Sequence, residues 1–243
     1  MFHRRTGFAS LAALLAVMVL GACSGTADNR DLIVASGATY DDSAFTVNGD
    51  ILVGENASVS GSKVQTVNGN IRVRGGATVR NVATTNGDII VGEGAETGSI
   101  EAVNGAATCS DGARVDGDIT LVNGSIVLAT DSSVSGNVAT VNGGISLTGA
   151  KVKGSVQNYH GDILLDRGAK VVGDIRVLGD DTPSDSMPAR IVIGPDSTVT
   201  GELIFEHAVQ LFVHDSASIG AVTGAEVVPF SGSMDSVVQG GGS

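Results

Sequence analysis

The chain has no tryptophan, and only two tyrosines and six phenylalanines among 243 residues. Ordinary globular cores lean on large side chains, so a wide core is excluded. A narrow interior filled by Val, Ile, Ala and Thr suits a thin prism instead. The same scarcity removes the aromatic platform on which sugar rings pack. Basic residues are also few: 14 Lys and Arg stand against 26 Asp and Glu, a formal charge of −12. Such a surface lacks the basic stripe that nucleic acid requires, and it favours solubility in a crowded compartment. Two cysteines, Cys23 and Cys109, make no disulfide framework. Cys109 occupies an apolar position between Val91 and Leu128 and reads as a small buried hydrophobe. The four histidines are scattered. None of His160, His207 and His214 stands at a nucleophile turn with Ser, Asp or Cys, so no catalytic residue is assigned. The spacing of Asp180, Asp181 and Asp185 fits no calcium loop, and neither metal nor cofactor is expected.

What the chain does contain is a repeat. From Val64 it reads VQTVNG, NIRVRG, GATVRN, then VATTNG, DIIVGE, GAETGS, then IEAVNG, AATCSD, GARVDG. A fixed period of this kind, sustained over most of a chain, is the mark of a solenoid. We name the three six-residue units faces A, B and C. Face B alternates apolar residues at Ile71/Val73, Ile89/Val91 and Ala107/Cys109, which predicts short strands with one side buried. Face C pairs a small residue with a branched one, as in Ala77/Val79 and Ala113/Val115. Face A ends in Asn-Gly, read as a corner that needs positive φ. Each Asn-Gly also fits a hairpin turn of an antiparallel meander, but a meander needs no eighteen-residue regularity.

The prediction is therefore a single-stranded triangular β-solenoid of about nine coils, each about 18–20 residues long, in a rod about 40 Å long. It spans residues 32–222, behind a polar tether at 23–31 and before a capping segment and flexible tail at 223–243. Leu32 to Tyr40 reads as a partial first coil or a cap, and Val227 to Phe230 is the segment available to cover the other rod end. Equivalent residues should stack in columns. Asn48, Asn68, Asn86, Asn104, Asn123 and Asn142 would form an amide ladder, with His160 in the next place. Asp50, Asp88, Asp118, Asp162 and Asp174 recur at corners and read as a solvated edge that discourages lateral aggregation. Tyr159 beside His160 is the one polar-aromatic pair, a speculative binding element for an envelope polymer.

Residues 1–22 stand outside the repeat. His3, Arg4 and Arg5 form a positive region, Leu11 to Leu20 an apolar one, and Leu20-Gly21-Ala22-Cys23 follows. This resembles a bacterial lipoprotein signal, cut before a cysteine that is then lipidated. The resemblance implies a mature chain anchored to a membrane through lipidated Cys23, palmitate included. Ser24 after the cysteine implies the outer membrane. The mature chain would keep 12 basic and all 26 acidic residues, a formal −14.

The runs KVVGDIRV (170–177) and IVIGPDSTVTGELIFE (191–206) resemble the bactofilin repeat, which implies a triangular β-helix that polymerises end to end. The recurring Asn-Gly corner is similar to secreted adhesin-like solenoids whose repeats read S-V-N-G-D-I. The IVIGPDSTVTG cadence is shared with hexapeptide acyltransferases, which place a catalytic His between subunits. The expected function is non-enzymatic: a lipid-anchored structural or adhesion protein of the cell envelope, self-associating end to end. The alternative is a polysaccharide-binding module, or a polysaccharide- or acyl-directed enzyme using Tyr159, His160 or the 179–188 loop.

Overall fold

The computed structural model describes residues 29–179, 188–234 and 237. Residues 1–22, Cys23 and the three aspartates of the 180–187 loop lie outside the described residues.

The described chain is all-β and every strand pairing is parallel. Face B forms an eleven-stranded sheet from Leu32–Val34 at one end to Val227–Phe230 at the other. At one strand spacing per rung the rod has about ten turns and is about 50 Å long. Faces A and C belong to a single seventeen-stranded sheet. They are joined because Ser58–Asn68 and Thr78–Asn86 each run through the corner between the two faces without a break. In later coils the strands of face C shrink to two residues, as at Arg114–Val115 and Lys151–Val152.

Alternation explains the interior. Along face B alternate residues point inward, so Ile51, Ile71, Ile89, Ile126, Ile145 and Ile163 are all essentially sealed from solvent. Face C adds the small-then-branched pair, for example Ala113 and Val115, both buried. A small residue beside a branched one at every level lets a narrow prism close without voids. Cys109 lies at the expected place, in register with Val91 and Leu128. Burial pushes its thiol up from an ordinary 9.0 to about 12.

The partial first coil expected at Leu32 is present, while the tether boundary and the C-terminal segment differ from the sequence reading. Asn29, Arg30 and Asp31, assigned there to a tether, already belong to a coil. Asn29 accepts from Asn48, the Arg30 carbonyl accepts from the Thr46 hydroxyl at 3.0 Å, and Asp31 accepts the Asp50 amide. Leu32–Val34 pairs with Ile51–Val53 as a partial first coil. At the other end Val227–Phe230 does not fold across the opening. It adds the eleventh strand, in register with Leu211–His214. In face B the first residue of a strand donates forward, as Leu32 does to Asp50, and the carbonyl of the third accepts from the next coil, as Val34 does from Gly54. By the alternation of a parallel ladder the third residue's N–H also points forward. In the last strand that third residue is Pro229, which has no N–H. The outer edge of the last rung is thus blunted by a proline.

Candidate functional site

The most ordered surface feature is the corner between faces A and B. Asn48, Asn68, Asn86, Asn104, Asn123 and Asn142 form the ladder the sequence predicts. Each Nδ2 donates to the Oδ1 of the preceding rung at 2.7–2.9 Å, and Asn29 adds a seventh member that accepts from Asn48. All the carboxamides point the same way and all are exposed. His160 follows in register with Asn142, so the column ends in an imidazole.

The expected positive φ is carried by the glycine of this corner: Gly87, Gly105, Gly143 and Gly161 have φ of +151°, +154°, +153° and +132°. The asparagines of this corner are not left-handed. A second set of positive-φ residues sits at the corner between faces B and C, among them Asn56, Gly76, Gly94, Asp131, Arg167 and Asp196. At the Asn-Gly corner the asparagine is present for its side chain. The glycine is required by proximity: a Cβ on Gly105 would strike the Gly87 carbonyl oxygen, and Gly105 itself has φ +154°. Those glycine carbonyls point inward, where threonines of the following coil meet them. Thr66, Thr84 and Thr140 donate to Gly49, Gly69 and Gly124 at 2.9–3.1 Å. Asn158 does the same to Gly143 and also to Gly161. This inner polar line was not legible as such, because Thr reads equally well as a strand filler.

The recurring aspartates line an exposed or half-exposed edge and are structural as well. Asp50, Asp88 and Asp162 accept the backbone amides of Asn70, Ala106 and Arg190 on the next coil. Asp118 and Asp174 do the same for Asn137 and Glu202 at the corner between faces C and A. Amides that a turn would leave unpaired are satisfied from the coil below. The Arg176 guanidinium, with the Glu202 amide, holds the Asp174 carboxyl below the ordinary carboxylate range.

Tyr159 is half-buried and His160 exposed, with ring centroids 6.2 Å apart and tilted at 47°. His214 is anchored locally: its Nδ1 accepts the Ser216 N–H at 3.1 Å, and its ring meets Phe230 edge-on at 5.1 Å. The structure brings none of the three described histidines into a cluster with acids or cysteine that could hold a metal, among the described residues. An open groove of about 340 Å³, lined by Arg80, Asn81, Glu96, Thr97 and Asp116, lies where face C meets face A. Glu96 there is bound to Arg114 at 3.0 Å. Comparison with protein-family models, curated proteins and solved structures finds no match.

Proposed function

We propose that this chain is a non-enzymatic, lipid-anchored β-solenoid of the bacterial cell envelope, acting as a structural or adhesion rod. The observation that carries the reading is the use made of the polar corner residues. Asn, Asp and Ser side chains at two of the three corners are spent on hydrogen bonds between coils, from Asp31 to Glu202. A surface whose polar groups hold the rod together suits a rigid spacer. The signal-like segment ending at Cys23 supplies the anchor, and Ser24 directs it to the outer membrane. Five residues lie between Cys23 and Asn29, so the first coil would stand within about 20 Å of the bilayer.

End-to-end polymerisation in the bactofilin manner is weighed down by Pro229 at the last rung. The polymer-binding alternative rests on Tyr159 and His160, which sit side by side where the ladder ends. Fractionation of the host's envelope tests the proposal. Wild-type chain is expected in the membrane fraction carrying lipid label, and Cys23→Ala in the soluble fraction without it. Cells displaying the wild type are expected to adhere to one another or to a surface more than cells making Cys23→Ala. Turnover of an envelope sugar or acyl substrate by the purified chain would contradict the reading.

A further inference from the structure

Along the middle of face B each strand turns one side chain outward. Across its eleven strands this outer column is in register throughout, and eight of its members are aliphatic or Phe. Only Arg72, Thr108 and Ser146 interrupt it. Ile33 is 68% exposed, Val228 47%, Val127 40% and Ile90 36%. An exposed column of this kind, apolar at eight of eleven places, marks an interaction surface.

The order of the stripe identifies the partner. Val127 is the sixth of eleven. Rotation about a two-fold axis through it lays Ile33 on Val228, Leu52 on Phe212, Ile90 on Leu164 and Val127 on itself. The polar pair Thr108 and Ser146 also meet each other. Only Arg72, opposite Val192, breaks the match. We propose that face B docks a second copy of this chain, with the two rods antiparallel about Val127. A parallel arrangement would set Arg72 against Arg72. A lipid surface fits less well, because Asp31, Asp88, Asp162 and Glu226 flank the stripe and repel anionic headgroups.

The chain itself restrains this face. Val192 belongs to the outward column yet is fully buried. Two residues on, a Cβ at Gly194 would run into the Met234 sulfur. The segment after Phe230 therefore returns along the outside of the rod at the ninth strand, and docking requires it to yield. Three-residue strands over about 50 Å offer about 500 Å² per copy, or about 1,000 Å² in all, near the lower limit for a specific interface. The association is accordingly weak, micromolar or looser. The two-fold also brings Asp88 near Asp162 and Asp31 near Glu226, so added salt tightens it. Combined with the proposed anchor at Cys23, antiparallel partners would hang from opposing surfaces. That consequence rests on the adhesion reading; the docking itself does not.

The test is sedimentation of residues 24–243, which keep every described coil, alongside a chain ending at Phe230. The shorter chain is expected to dimerise at least tenfold more tightly, and Val127→Arg and Ile90→Arg each to abolish dimers while leaving the far-UV spectrum unchanged. Under oxidation, Val127→Cys should cross-link to itself. Ile33→Cys should cross-link only when mixed with Val228→Cys. A monomeric shorter chain up to about 100 µM, well above micromolar affinity, overturns the proposal. So do dimers that persist in both arginine variants, or self-cross-linking of Ile33→Cys alone. Loss of membrane anchoring in Cys23→Ala would leave these outcomes untouched, so the two readings fail separately.

Discussion

Truncation of one ladder asparagine to alanine measures what the exposed amide column contributes. Asn104 donates to Asn86 at 2.9 Å and accepts from Asn123 at 2.9 Å. Both bonds vanish in Asn104→Ala. A net hydrogen bond contributes about 0.5–1.5 kcal/mol, and water competes for this exposed column, so the two together are worth about 1–2 kcal/mol. Asn142 donates to Asn123 but accepts nothing from His160 in the next rung, so it holds one bond. Asn142→Ala should therefore cost about half as much, roughly 0.5–1 kcal/mol. Urea unfolding of both variants, followed by circular dichroism and compared at a common slope, gives the two values. The ratio is more informative than either magnitude, because errors in extrapolation cancel. Equal losses, or no loss at Asn104, would show that solvent replaces the ladder at no cost, and the account of this corner would be wrong.

Further outcomes follow from the interior and the corners. Ile126→Ala empties a sealed position in face B and should cost about 3–4 kcal/mol, read from the same urea curves. Cys109 should resist thiol alkylation at pH 8 in the folded chain and react on unfolding. Its thiol is held protonated up to about 12 in the fold, while the unfolded thiol ionises near 9.0, so stability should fall as pH rises between those values. The Asp174 carboxyl has the opposite sign. It supports the fold above its ordinary range, and that support is lost as acid protonates it, so Asp174→Asn should flatten the acid limb of a pH–stability curve. Succinimide closure at Asn-Gly needs the glycine nitrogen. The amides of Gly69, Gly87, Gly105, Gly124 and Gly143 donate to the next coil, whereas Gly49 donates to no backbone carbonyl among the described residues. Peptide mapping after prolonged incubation should show deamidation first at Asn48.

Much of the fold was legible because the repeat states each role many times over. Ile71, Ile89 and Ile126 recur at one phase of a period-two pattern, and that phase is the interior. The ladder could be read because equivalent asparagines eighteen to twenty residues apart must stack once coils are one strand spacing apart. Several features were not legible, each for a physical reason. A carboxylate at a corner looks the same in sequence whether it faces water or caps the amide one coil up, as Asp88 does for Ala106. The Asn-Gly pair signals positive φ, which Gly105 has at +154°, but it does not show that a Cβ there would also strike the Gly87 carbonyl, or that Gly76, Gly94 and Asp131 turn the corner between faces B and C. The C-terminal strand resembled a cap because an isolated apolar segment carries no register. Pairing with Leu211–His214 made Val227–Phe230 a rung, and only then did Pro229 acquire a meaning. The outward column of face B was hidden for a related reason: one apolar residue between two buried ones reads simply as a hydrophobic strand.

The central claim is a rod held to a membrane at Cys23, and mass spectrometry of the N-terminal peptide from the host's membrane fraction tests it most directly. The account predicts a mature chain that begins at Cys23 and carries diacylglycerol on its sulfur. A chain that keeps residues 1–22, or that begins after Cys23 without lipid, would contradict it.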